Sequence, residues 1–271
     1  MKMDSNCCDD AARGLSEDKS ESLFERVSWF YALCREYLFR DHTEKISQSF
    51  FPNAVPQPGT HLLELGCGPG FYACNLSKRF RGLQAVGIDL SRSLIRHAKS
   101  RSAALRLSNC SFQHADAHSL PFPSSSIDFI VVSRLFLVVS DKEGVISEIF
   151  RVLKPQGRVF IAEPTSGFRT RIPLAVMWLL SRLGKRPAGK YREPQQADVM
   201  AHADFTALIR TQAWGAAELQ RDGWYQYAVC DRGLAGSKEQ HKEAFADSLS
   251  TWRPNSFIPS VGAEATQAVS S

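Results

Sequence analysis

The chain has 271 residues, 44% hydrophobic and 23% charged, with a formal net charge of +5. This is enough chain for one full core with decoration, and the mild positive charge is spread along the sequence, which argues against nucleic acid as a partner. The opening MKMDSNCCDDAARG is polar and acidic, no run of about 18 apolar residues follows, and the seven cysteines form no CxxC pair; the expectation is a cytoplasmic protein without signal peptide, membrane span, disulfide framework or metal site.

Residues 1–20 read as a disordered arm carrying Cys7 and Cys8, and 21–232 as one domain. From Glu21, the spacing of Phe24, Val27, Tyr31, Cys34 and Leu38 predicts an amphipathic helix. A turn-rich linker, PNAVPQPGT, leads into alternating elements: strand 61–65, helix 71–80, strand 84–89, helix 92–102, strand 110–115, strand 127–133, helix 141–153 and strand 158–163. Short apolar runs divided by helices imply parallel strands covered on both faces, hence a doubly wound α/β sheet. Asp222-Gly223 lies between two strand-like runs in 216–232, which predicts a hairpin forming an antiparallel edge; from 233 to 271 the chain reads as a disordered tail.

LLELGCGPGF (62–71) places Gly66, Gly68 and Gly70 where the first strand turns into its helix, the usual ligand position in an open α/β sheet. Glycines there let the backbone turn sharply and approach a nucleotide-like ligand. The phase anchored at the strand end is GxGxG, while Gly68, Gly70 and Ala73 also satisfy a loose dinucleotide form, so a nicotinamide cofactor stays open at this point. Asp89, closing the second strand, can accept from both hydroxyls of a ribose. Asp116 at the third strand tip can accept from an adenine amine while the Ala117 amide donates to a ring nitrogen.

ELGCGPG (64–70), GIDLS (87–91), ADAHSLPFPSSSIDFIVVS (115–133) and LKPQGRVFIAEP (153–164), in this order and spacing, resemble the class I S-adenosylmethionine-dependent methyltransferases, with similarity to the small-molecule branch of ubiquinone and menaquinone C-methyltransferases. The resemblance covers roughly 60–232. It implies a Rossmann-like, seven-stranded sheet with an antiparallel last strand, S-adenosylmethionine as cofactor, and roles by position: Glu64 and Gly66, Gly68 and Gly70 at the methionine end, Asp89 at the ribose, Asp116 and Ala117 at the adenine, and Ser133 as the floor near the sulfonium. Asp128 reads as structural, and His114 and His118 receive no role.

A sulfonium methyl is already activated, so a base is required only for an acceptor that must lose a proton early. Tyr31, His42, Glu163, Tyr191 and His202 are candidates among which spacing does not choose, and the catalytic residue is left unknown. The helical insertion at 165–202 contains RTRIPLAVMWLLSRLGKRPAGKYR, an apolar segment between basic flanks and too short to span a bilayer. It fits a lid over the site, favoured on length, or a peripheral membrane contact through 172–183. Either implies a small apolar or amphipathic acceptor such as a quinone, phenol, lipid or secondary metabolite. Ile172, Leu174, Met177, Trp178, Leu179 and Leu180 motivate this acceptor class, and charge at Trp178 or Leu179 is expected to impair transfer while sparing cofactor affinity. The competing readings are a nicotinamide-dependent oxidoreductase and a catalytically silent binding protein; oligomeric state is not legible.

Overall fold

The computed structural model describes residues 23–52, 55–165, 172–173, 175–180 and 199–234. The expectations for 1–20, for Cys7 and Cys8, for Tyr191 and Leu174, for most of the insertion and for the tail from 235 lie outside these residues.

The arm comprises three helices, α1 (Leu23–Arg26), α2 (Ser28–Tyr37) and α3 (Thr43–Phe50). The sequence pattern predicts one continuous helix, but the chain breaks at Val27, which leaves the helical region at ψ 35°. Leu38, expected on the buried face, is 69% exposed, while Val27 and Cys34 are buried. The helix α3, absent from the sequence reading, is short and polar except for Ile46 and Phe50, which enter the core.

The sheet is built from β1 (Thr60–Leu65), β2 (Leu83–Asp89), β3 (Cys110–His114), β4 (Ile127–Ser133), β5 (Leu153–Pro164), β6 (Ala216–Asp222) and β7 (Tyr225–Asp231). Its order is β3-β2-β1-β4-β5-β7-β6. The first five strands run parallel, and β7 is antiparallel to both β5 and β6. The hairpin forms as expected, with Gly223 at φ +47°, and closes the sheet in antiparallel pairing, β7 lying beside β5 and β6 outermost. Strand β5 also begins five residues earlier than its sequence pattern suggests, pairing Leu153 with Ile127 before a register shift that absorbs Lys154-Pro155-Gln156-Gly157.

Helices α4 (Phe71–Arg79), α5 (Arg92–Ala104), α6 (Lys142–Val152) and α7 (His202–Ile209) cover the sheet. Strand alternation sends Leu63, Leu65, Ile130, Val132 and Ile161 to the α6/α7 side, and Leu62, Val131 and Phe160 to the α3/α4 side. Each such fully buried side chain contributes roughly 1.5–3 kcal/mol. Because β1 to β5 are parallel, residues 66–70, Asp89, Asp116, Ser133 and Glu163 all fall at one edge of the sheet. The β3–β4 crossover lacks a helix; Arg151 of α6 instead donates to the carbonyls of Phe122 (2.9 Å) and Leu120 (3.1 Å), pinning the Leu-Pro-Phe-Pro turn.

Candidate active site

Beyond β1, Gly66, Gly68 and Gly70 adopt φ of +67°, +52° and +74°, the left-handed region that side chains disfavour. At Gly70 a Cβ would lie 2.5 Å from Phe112 Cζ and 2.9 Å from Ala98 Cβ, so the loop packs directly on β3 and α5. Gly70 is also the N-cap of α4 and has no side chain to satisfy its amides. Glu64 does so from the preceding strand, accepting from Ala73 N at 2.7 Å and Tyr72 N at 3.2 Å. Burial raises its carboxyl to about 7, despite those amides and the positive charge of Arg35.

Asp89 accepts from Gly68 N through Oδ2 and from Ser91 N through Oδ1, both at 2.8 Å, and so fixes the glycine loop to the tip of β2. A carboxylate has about four lone-pair sites, so two backbone bonds leave capacity for ribose hydroxyls. Asp116 follows the tip of β3, and its Oδ1 accepts from the His118 amide at 2.9 Å and contacts His118 Nδ1 at 2.8 Å. Sequence reasoning gave His118 no role; the structure makes it the side chain that orients Asp116. Its partnership also holds the Asp116 carboxyl below the usual carboxylate range. Ala117 is half-buried against the core beneath this turn, and Ser133 ends β4 opposite Ala162. Asp128 is structural: it accepts from His61 N at 2.9 Å and pairs with Lys154 at 2.8 Å.

The arm crosses the glycine loop. Glu25 accepts from Ser93 N at the start of α5, Glu36 pairs with Arg101 at 2.5 Å, and Tyr31 lies 3.2 Å from where a Cβ on Gly68 would sit. Arg35 is buried, its guanidinium 3.7 Å above the Phe71 ring at the head of α4, with Nη2 lacking a partner. Sequence reading missed Arg35, although a cation four residues after Tyr31 on a buried helix face was a readable signal.

Of the candidate bases, Tyr31, His42 and Glu163 gather at this end of the sheet around Arg134. Tyr31 and Glu163 act electrostatically on Arg134, and Arg134 acts on His42. Glu163 accepts from Phe136 N at 3.1 Å, and burial raises it to about 8. His42 is buried, and desolvation with nearby cations lowers it to about 3, so it is neutral. His202 is held from α7 by Gln226, the cross-strand neighbour of Glu163, its Nδ1 3.2 Å from Gln226 Oε1.

An adenosyl sulfonium with an amino-acid tail fits these residues. The loop is a closely packed turn that Cβ atoms would disrupt, carboxylates stand at the next two tips, and Arg35 offers an orphaned buried donor beside the loop for a carboxylate.

Residues 56–215 match a family model described as a methyltransferase domain. The chain is 29% identical over 184 residues to a demethylmenaquinone methyltransferase of Bacillus cereus, covering 65% of this chain and 77% of that protein. It is 31% identical over 122 residues to an O-methyltransferase of Pyrenophora dematioidea, 45% of each chain. In fold it is similar to a SAM-dependent methyltransferase from Aquifex aeolicus, with a TM-score of 0.53 at 20% identity over 76% of this chain and 97% of that one. None of these matches supports the oxidoreductase reading. The chain belongs to the methyltransferase-domain family and is an S-adenosylmethionine-dependent methyltransferase.

Proposed function

We propose that the chain transfers the methyl group of S-adenosylmethionine to a small apolar or amphipathic acceptor of the phenol or quinol class. One observation carries this reading. Met177 of the insertion is fully buried against Val27, with Phe24, Phe30, Tyr31 and Leu180 packed around them. Tyr31 reaches the glycine loop, so an apolar wall runs from the insertion to the cofactor loop. The named substrate of the Bacillus relative and the oxygen chemistry named for the Pyrenophora relative support the same class.

In this reading Gly66, Gly68 and Gly70 border the methionine end, Glu64 holds the loop-to-helix turn there, and Arg35 meets the methionine carboxylate. Asp89 holds the ribose, Asp116 and Ala117 the adenine, and Ser133 floors the site. The cofactor supplies a methyl group activated by its sulfonium; the chain contributes positioning and exclusion of water.

The inward lid residue is Met177, not the pair singled out from sequence: Trp178 and Leu179 are 41% and 53% exposed. With Trp29, Leu33 and Tyr37 of α2, also exposed, they support peripheral lipid contact by a cytoplasmic enzyme. No helix among the described residues is long and apolar enough to cross a membrane. Co-sedimentation with anionic vesicles, lost on Trp178→Asp with Leu179→Asp, tests that contact.

The test of function is transfer of labelled methyl from S-adenosylmethionine to a demethylated quinol or an alkylphenol. Met177→Asp is expected to lower transfer about tenfold or more while S-adenosylhomocysteine affinity stays within about twofold. A loss confined to cofactor affinity, or equal transfer to polar amines, would count against the reading.

A further inference from the structure

Buried polar atoms are normally paired, and unpaired ones call for an explanation. Among the described residues, seven buried side-chain nitrogen and oxygen atoms have no hydrogen-bond partner, and five of them, on Arg35, His42, Tyr72, Arg134 and Tyr227, lie in one neighbourhood. The His42 ring stands edge-on to Tyr225 at 4.6 Å and to Tyr227 at 5.3 Å, and is stacked towards Tyr72 at 6.3 Å. The Arg35 guanidinium is 4.6 Å above Tyr72, whose hydroxyl faces the Ser133 side chain without a well-formed hydrogen bond.

Arg134 completes the group. It directly follows Ser133 at the tip of β4 and is held at φ +61°, a conformation that costs a non-glycine residue energy and recurs where a side chain must be aimed. Its amide donates to Ala162 O at 3.0 Å, its guanidinium lies 3.9 Å over Phe39, and Nη1 donates to Tyr225 Oη at 3.3 Å, leaving Nε unpartnered. The groups acting on it are Tyr225, Tyr31 and Glu163; those acting on His42 are Arg35, Arg40, Lys45 and Arg134. Among the described residues, no carboxylate forms an ion pair with this guanidinium; Glu163, the acid that acts on it, is taken up by the Phe136 amide and raised by burial. Arg40 does have a carboxylate, Asp222 at 2.8 Å, but that pair is about half exposed.

We propose that the part of this cluster beyond Arg35, whose donor is left to the methionine carboxylate, is the acceptor subsite and takes the acceptor as a ring oxyanion, a phenolate or enolate, with Arg134 Nε and the Tyr72 hydroxyl as donors and His42 and Tyr225 as walls. Orphaned donors around a buried cation that forms no ion pair suit a charged oxygen better than a neutral ring, because charge-assisted hydrogen bonds are the stronger ones. The proposal rests on the methyltransferase reading and specifies its acceptor. Transfer to a bound phenolate forms one C–O bond and breaks the donor C–S bond, leaving the electron pair on sulfur. The donor's positive charge and the acceptor's negative charge cancel, so no proton moves in the transfer step and no protein base is needed. For an enolate, the new bond is to carbon and the ring proton leaves afterwards to solvent.

The test uses the full chain saturated with S-adenosylhomocysteine and para-nitrophenol as probe, because the yellow anion reports ionisation directly. Wild type is expected to bind the anion and lower the probe's apparent pKa by about one unit or more. Arg134→Met should weaken anion binding about ten- to a hundredfold, with S-adenosylhomocysteine affinity by calorimetry within about twofold, and Arg134→Lys should restore part of the loss. Binding of the probe as the neutral phenol, no saturable binding, or an Arg134→Met variant that loses S-adenosylhomocysteine but keeps the probe would each overturn the proposal; the last would assign Arg134 to the donor's carboxylate. A wild-type chain that takes up no S-adenosylhomocysteine would overturn the underlying methyltransferase reading as well.

Discussion

At the β1–β3 end of the site, the acidic side chains already serve the protein. Glu64 uses both oxygens on α4 amides, Asp89 both on the Gly68 and Ser91 amides, and Asp116 is gripped by His118. At the β4–β5 end, where the arm and β7 close in, His42 and Arg134 hold buried polar atoms with no hydrogen-bond partner, and the Tyr72 hydroxyl faces only Ser133. The first end is a preorganised mould, in which hydrogen bonds set loop shape before any ligand arrives; the second gathers buried cations and polar atoms whose hydrogen bonding is left incomplete.

The largest effect is expected from attacking the mould itself. Gly70→Val places a branched side chain at φ +74° and against Phe112, so denaturant unfolding should show a loss of about 3 kcal/mol or more, and calorimetry no S-adenosylhomocysteine uptake. Next is Asp89→Ala, which strands two backbone amides: about 2 kcal/mol of stability and at least about tenfold in S-adenosylhomocysteine affinity should be lost. Wild-type affinity in that variant would show that the loop keeps its shape without the carboxylate.

The contrast sharpens with pH. Glu163 is raised from 4.5 to about 8, so between those values the folded state holds its proton more tightly than the unfolded chain does. Its contribution is complete below 4.5 and lost as pH rises through about 8, on the order of 1 kcal/mol per pH unit. Glu163→Gln should therefore flatten the fall of stability measured by urea unfolding between pH 5 and 8; an unchanged slope would place an ionised carboxylate beside Arg134. The smallest effect belongs to His118→Ala, which frees an exposed Asp116 and should change S-adenosylhomocysteine affinity by about twofold.

The mould was largely legible because its rules are local. Three glycines after an apolar run, and acids that close successive strands, occupy fixed offsets from elements that periodicity reveals. The hairpin was equally plain from Asp222-Gly223, but its insertion beside β5 was not, since strand order is a long-range pairing choice that turn chemistry leaves open. The break at Val27 escaped the helical pattern because the pattern runs straight through it. Arg35, Tyr72, Arg134 and Tyr225 come from four separate elements, and only packing brings them together; the local hints were two charges, Arg35 on a buried helix face and Arg134 planted in the apolar run after Ser133. His118 shows the converse case, a residue two positions from a predicted acid whose role follows from a turn.

The central claim is that the tips of β1, β2 and β3 together hold one adenosyl donor. Isothermal titration of the full chain with S-adenosylhomocysteine, and separately with NAD, tests it most directly. One site should fill with S-adenosylhomocysteine and none with NAD; NAD uptake, or no heat from the demethylated donor, would contradict the account.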